Sequence, residues 1–276
     1  MKFVTKLQDI LHIHRVSIYL SEAGSSVLPT DKSCKLGVRE YNLGNSHRGY
    51  CVETAHLSLD HLIRQSAQPT THLPPLIVLL HGVGSHERDL FDLAQYLDPQ
   101  CLVVSARAPN VLSPNSFAWY PVEFTATGPI IDAEAAEDSR LILLKFIDEL
   151  IATYRVDARR VYLMGFSQGA IMSLAVALTE PEKVAGIVAM SGRLLPELQP
   201  KIVEARRLRN LPILMTHGRR DPIIPIGEAR AANVYLSKLP LKLTYREYDM
   251  GHQITVESLN DIVAWLKEQL RMTNDQ

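Results

Sequence analysis

The chain has 276 residues, 46% of them hydrophobic and 21% charged, with a formal net charge of −1. That length accommodates one large α/β domain or two small ones. The near-neutral balance supplies no basic field for nucleic acid or an anionic membrane surface, and no apolar run reaches the roughly 18 residues of a membrane span.

The N-terminal stretch "MKFVTKLQDILHIHRV" breaks any signal-peptide core with charges and histidines. His12 and His14 alternate as residues on one face of an extended segment, which is a structural arrangement and not metal-ligand spacing. The three cysteines, Cys34, Cys51 and Cys101, are scattered and odd in number. Free thiols in a reducing, cytoplasmic setting are therefore expected, not a disulfide framework. Residues 1–56 contain "SEAGSSVLPTDKSCKLG" and "YNLGNSHRGY", rich in Ser, Gly, Asn and Pro. This composition favours a loosely ordered extension preceding a domain over 57–276.

From residue 57 the pattern becomes regular. "PPLIVLLHG" is a short apolar run ending in Gly, the mark of a strand buried on both faces. An amphipathic helix over "ERDLFDLAQYL" and a buried strand over "CLVVSARAP" follow, and then a long loop, "NVLSPNSFAWYPVEFTATGP". A helix is expected from about Asp132 to Tyr154, where Leu143, Phe146, Ile147, Leu150, Ile151 and Tyr154 make one apolar stripe. "RRVYLMG" reads as a strand and "SQGAIMSLAVAL" as a largely apolar helix. Strands over "VAGIVAMSG" and "LPILMTHG" come next. Arg206, Arg207 and Arg209 between them read as a solvated surface. A helix over "IGEARAANVYLSKL", a strand over "LKLTYREY" and a last helix over "TVESLNDIVAWLKEQL" complete the chain. Such β-α alternation predicts an α/β fold with a mostly parallel central sheet and helices on both faces.

In open sheets of this kind, functional loops lie at the carboxyl ends of the strands. Gly165-Phe166-Ser167-Gln168-Gly169 fits G-x-S-x-G between a strand and a helix, the setting that holds a nucleophilic serine out of a tight turn. Ser167 needs a base to take its proton. His252 follows the strand "LKLTYREY", and Asp221 follows "LPILMTHG", giving the order Ser, acid, His. Asp249 lies close to His252 in sequence and is the alternative acid; Asp221 is preferred because it follows its own strand. Backbone donors for a developing oxyanion are expected from Gln168, after the serine, and from Val83 in "HGVG". That loop is neither a dinucleotide fingerprint nor a Walker A loop, and no Cys/His cluster has zinc spacing, so neither a cofactor nor a metal is expected.

"LIVLLHGVGSHERDLFDLA", "RAP", "FAWY", "VYLMGFSQGAIMSLAVAL", "SGRL", "HGRRDPIIP" and "MGHQI" occur in the order found in α/β-hydrolases. Over about residues 57–270 the chain resembles the phospholipase/carboxylesterase family that includes the acyl-protein thioesterases. The resemblance implies an α/β-hydrolase fold without a large lid. It also implies carboxylic-ester hydrolysis through an acyl-enzyme on Ser167, with acyl thioesters or lysophospholipids as alternative substrates. On that match Ser167 is the nucleophile, Asp221 the acid, His252 the base, and Val83 and Gln168 the oxyanion donors. Trp119 is either a groove residue beside the substrate or a packing aromatic under its loop. Two departures bear on substrate choice: His86 stands where relatives often carry Asn, and Arg219 and Arg220 precede the acid. The expected partner is a small ester or thioester, with a monomer or a homodimer both open. A non-catalytic binding module on a hydrolase scaffold is the rival reading, and such proteins usually lack a triad member.

Overall fold

The computed structural model describes residues 38–43, 47–52, 57–67, 73–125 and 128–272. The segment expected to carry His12 and His14 on one face, and Cys34, lie outside these residues. Within the N-terminal extension, β1 (Val38–Leu43) and β2 (His47–Val52) pair antiparallel. This hairpin is a separate two-stranded sheet.

The main body continues with β3 (His61–Arg64), β4 (Leu76–Leu80) and β5 (Leu102–Ala106). Two hairpins follow, β6 (Asn110–Ser113) with β7 (Ser116–Ala118), and β8 (Val122–Thr125) with β9 (Gly128–Ile131). Then come α1 (Ala133–Tyr154), β10 (Val161–Phe166), α2 (Gln168–Thr179) and β11 (Gly186–Met190). β12 (Pro212–Gly218), α3 (Ile226–Leu236), β13 (Lys242–Tyr248) and α4 (Val256–Met272) complete it.

Seven of these strands form one sheet in the order β13-β12-β11-β10-β4-β5-β3, parallel except for β3 at its edge. The apolar runs of the central strands are divided alternately between two cores, as the pleat requires. Leu76, Val78 and Leu80 face the core built with α1, α2 and α3, while Ile77 and Leu79 face the one built with α4. Helices therefore cover both faces, and the arrangement is that of an α/β-hydrolase with no large lid among the described residues. α1 begins where its cap predicts: Asp132 accepts a hydrogen bond from the Ala135 amide at 2.9 Å. All twelve residues of α2 are buried, so its sequence carries no polar face.

Two local expectations are corrected. The helix expected over "ERDLFDLAQYL" is a single short 3-10 helix, Phe91–Tyr96, with bonds from Leu93 to Leu90 and from Leu97 to Ala94. Its buried residues Leu90, Leu93, Ala94 and Leu97 include two pairs spaced by three, which suits a three-residue turn. The loop "NVLSPNSFAWYPVEFTATGP" holds the two hairpins, the first turning at Asn115 with φ 58°. Cys101 is a free buried thiol, pushed up to about 12 by burial and by Asp98.

Candidate active site

β10 delivers Ser167 at its carboxyl end, and α2 starts at the next residue. The turn between them is tight because both flanking glycines are in steric contact with backbone. A Cβ at Gly165 would stand 2.2 Å from the Gly169 carbonyl oxygen, and one at Gly169 would stand 2.0 Å from that of Leu80. Ser167 itself holds φ 54° and ψ −117°, a sparsely populated conformation that persists only where its surroundings impose it. The Ser167 amide donates to the Met190 carbonyl at 2.9 Å, which ties the turn to β11.

The carboxyl ends of β12 and β13 bring the partners. His252 Nε2 lies 2.9 Å from Ser167 Oγ, and His252 Nδ1 lies 2.7 Å from Asp221 Oδ2. All three residues are buried. Asp221 Oδ1 accepts from the amides of Ile223 and Ile224, each at 2.9 Å. Burial pushes the Asp221 carboxyl up, but the His252 hydrogen bond and charge, with those two amides, outweigh it and hold the group below its ordinary value. An ionised Asp221 accepts from His252 Nδ1–H, leaving the Nε2 lone pair toward the serine hydroxyl. Asp249 is 71% exposed and pairs with Arg220 at 3.1 Å, so the carboxylate brought to His252 is that of Asp221. Arg219 donates to the Glu247 carbonyl at 3.1 Å. Both arginines are engaged at the end of β13, and neither lines the groove described below. His217, also buried, donates from Nε2 to the Ile224 carbonyl at 2.8 Å and sits 3.4 Å from Asp221 Oδ2. Burial lowers its pKa, so it braces the acid's loop as a neutral ring.

The loop after β4 packs directly against the serine: a Cβ at Gly82 would come within 3.2 Å of Ser167 Cβ. It is pinned by Gly84 N–H to the Phe117 carbonyl at 2.8 Å and by Phe117 N–H to the Ser85 carbonyl at 2.9 Å. His81 accepts from the Ala108 amide on Nε2 at 3.0 Å, so its proton is on Nδ1, which donates to the Gly82 carbonyl at 2.7 Å. Burial drives its pKa down to about 4, and the ring is neutral. Val83 and Gln168 both border the same groove as Ser167. Among the described residues their amide N–H groups have no hydrogen-bond acceptor, so two donors remain for a ligand beside the serine.

That groove encloses about 250 Å³. Val83, Val122, Ile131, Ile171, Ile223 and Ile224 give it an aliphatic lining, and besides Ser167 and Gln168 its polar members are Tyr120, Arg193 and Glu228. Trp119 is not among them. It is fully buried, and its indole N–H donates to the His81 carbonyl at 3.0 Å. The groove assignment for Trp119 is thereby corrected to the packing one, because an indole N–H taken out of water must be paired and this one is paired inward. The Gln168 side chain does more than its sequence context indicated. Its Oε1 accepts from the Trp119 amide and its Nε2 donates to the Tyr120 carbonyl, both at 2.7 Å. This clamp fixes the "FAWY" segment beside the groove. Arg193 and Tyr120 were passed over as site residues, since nothing local in "SGRL" or "FAWY" marks a groove position.

The family model described as Phospholipase/Carboxylesterase matches residues 62–270. Acyl-protein thioesterase 1 of Kluyveromyces lactis is 29% identical over 229 residues, spanning 76% of this chain and 97% of that protein. A probable carboxylesterase SOBER1-like of Arabidopsis thaliana is 26% identical over 211 residues, spanning 72% and 80% of the two chains. Among solved structures, esterase PE8 superposes with a TM-score of 0.67 at 28% identity over 76% of this chain and 98% of its own. A Bacillus cereus carboxylesterase shares the fold, with a TM-score of 0.65 at 23% identity over 76% and 94%. Among the described residues no helix is long and apolar enough to cross a membrane. With its family model covering three strand-end loops, their serine, acid and histidine included, the chain belongs to the phospholipase/carboxylesterase family of α/β-hydrolases.

Proposed function

We propose that the chain hydrolyses carboxylic esters through an acyl-enzyme on Ser167. The observation that carries this reading is the continuous line from Ser167 Oγ to His252 at 2.9 Å and from His252 to Asp221 at 2.7 Å, set beside a groove with two unfilled amide donors. His252 Nε2 takes the hydroxyl proton as Ser167 Oγ forms a bond to the ester carbonyl carbon. The carbonyl oxygen becomes an oxyanion and receives the N–H groups of Val83 and Gln168, each of which contributes about 10²–10³ in rate. Collapse of the intermediate breaks the ester bond, and the alcohol leaves with the proton that His252 held. Water then repeats the sequence against the acyl-enzyme, releases the acid and restores Ser167. Asp221 keeps the Nδ1–H tautomer and stabilises the imidazolium.

Purified protein is expected to hydrolyse short-chain p-nitrophenyl esters, with Ser167→Ala reducing the rate to below roughly one-thousandth. A Ser167→Ala protein as active as the parent would overturn the reading, and a parent that cleaves no ester or thioester would return it to a binding module. Thioester cleavage is the second reading. It is favoured by relatives named acyl-protein thioesterase and by the aliphatic lining of the groove. A chain-length series of matched esters and thioesters separates the two by their kcat/KM ratios.

A further inference from the structure

Among the described arginines that are not exposed, Arg193 stands apart. Arg107, Arg140, Arg207 and Arg230 each close a two-pronged contact on one carboxylate, at distances between 2.6 and 2.9 Å. Arg193 donates no hydrogen bond to any described residue, and its nearest acid oxygen, Glu228 Oε2, is 3.9 Å away. Yet its side chain is only 17% exposed, against 49% for Glu228. The cation is thus held mostly out of water, in a groove with a largely aliphatic lining, with its fork of donors unfilled among the described residues. No other lysine or arginine borders that groove among the described residues.

The fold also fixes where this cation sits. Arg193 follows β11 by three residues, and the preceding Gly192 is pressed onto α2: a Cβ there would stand 2.6 Å from that of Ala170. Ala170 lies in the first turn of the helix that starts after Ser167. The guanidinium therefore enters the groove from a backbone point anchored to the same helix turn as the serine. A guanidinium held out of water without hydrogen-bond acceptors has a costly place in a largely apolar cleft unless a ligand supplies the missing oxygens. Its planar fork matches a carboxylate in two-pronged fashion.

We propose that Arg193 is a substrate-recognition residue, and that the ester substrates carry a carboxylate, on either the acyl or the alcohol portion. This rests on the ester-hydrolase reading of Ser167. Glu228 is the resident counterion. It is close enough to keep the empty groove from holding a naked charge and too far to close a hydrogen bond. A substrate carboxylate displaces it from the guanidinium, and hydrolysis leaves the groove able to release an anionic product against the same competitor.

Two matched pairs of esters test this by steady-state acid release at constant pH. Monoethyl adipate against ethyl hexanoate places the charge on the acyl portion, and 4-acetoxybutyrate against butyl acetate places it on the alcohol portion. The parent is expected to favour the charged member of at least one pair. Arg193→Met is expected to lower kcat/KM for that member about 10- to 100-fold, through KM, leaving its neutral counterpart within about threefold. Glu228→Gln, at an exposed position, is expected to raise kcat/KM for the charged ester. Calorimetric titration of Ser167→Ala with each charged ester, with and without Arg193→Met, reads the same contact without turnover.

The responding pair identifies which portion bears the charge. Equal losses on charged and neutral esters would make Arg193 a structural residue and overturn the proposal. So would an Arg193→Met protein whose charge preference and titration are unchanged. Failure of the parent to cleave any of the four, with no labelling of Ser167 by a fluorophosphonate, would instead count against the ester-hydrolase reading. The titration would still decide the fate of Arg193.

Discussion

Replacing Asp221 by Asn preserves the shape of the side chain and removes the charge that selects the His252 tautomer. The Asn oxygen can keep the position that accepts from the Ile223 and Ile224 amides at 2.9 Å. Its NH₂ group then takes the place of Oδ2, 2.7 Å from His252 Nδ1. Two donors cannot share that contact, so the ring turns to the tautomer that accepts on Nδ1 and carries its proton on Nε2. That proton faces Ser167 Oγ at 2.9 Å, where catalysis needs a lone pair. A wrong tautomer at a triad histidine costs roughly 10⁴ in kcat, about 5 kcal/mol of transition-state stabilisation. The comparison is Asp249→Asn, at an exposed carboxylate paired with Arg220. Its loss should stay within the 0–1 kcal/mol typical of a surface pair. Turnover of p-nitrophenyl butyrate by the two variants, with melting temperatures as a folding control, decides the matter. A larger loss in Asp249→Asn, or more than a tenth of the parent rate in Asp221→Asn, would refute the assignment.

Gly169→Ala is expected to destabilise the fold by about 1–3 kcal/mol or more, because the new methyl falls 2.0 Å from the Leu80 carbonyl oxygen and no side chain can yield there. An unchanged urea midpoint would contradict that reading of the turn. Gln168→Ala keeps the amide donor and removes both contacts to the Trp119–Tyr120 backbone. It is expected to cost about 1–3 kcal/mol of stability and to lower kcat/KM by loosening the groove, as urea unfolding and ester kinetics would report. The pH dependence of stability should carry the mark of His81. Its folded pKa of about 4 lies below its unfolded value near 6.5. The unfolded chain therefore binds the extra proton between those values, and stability falls as pH drops from 6.5 toward 4, by roughly 2–3 kcal/mol from this residue alone. His217, also lowered by burial, adds in the same direction. Urea unfolding at pH 7 and pH 5 that gave equal stabilities would contradict the buried, neutral assignment.

The parts of this structure legible in sequence are those where one local pattern has one physical solution. "LIVLL", "VYLMGF" and "GIVAM" are too continuously apolar to face water on either side, and each is a central strand. Ser167, Asp221 and His252 could be aligned because each follows a strand of the parallel sheet, where the fold gathers its loops. The short strand at His61–Arg64 was not anticipated, since four residues with one buried position leave no clear period. The hairpins were read as loop because Pro and Ser interrupt them; the Asn115 turn was the available signal. Trp119 could not be assigned from sequence, because only the carbonyl of a residue 38 positions away decides which way its N–H is satisfied. Arg193 is the same case in reverse: its significance lies in the hydrogen bonds it does not make.

The central claim is that Ser167 is the one serine raised to a nucleophile by His252 and Asp221. Intact-protein mass measurement after brief exposure to a fluorophosphonate, followed by peptide mapping, tests it directly. The account predicts a single adduct on Ser167, absent from Ser167→Ala and strongly slowed in His252→Ala. An adduct on another residue, or labelling that survives Ser167→Ala, would contradict it.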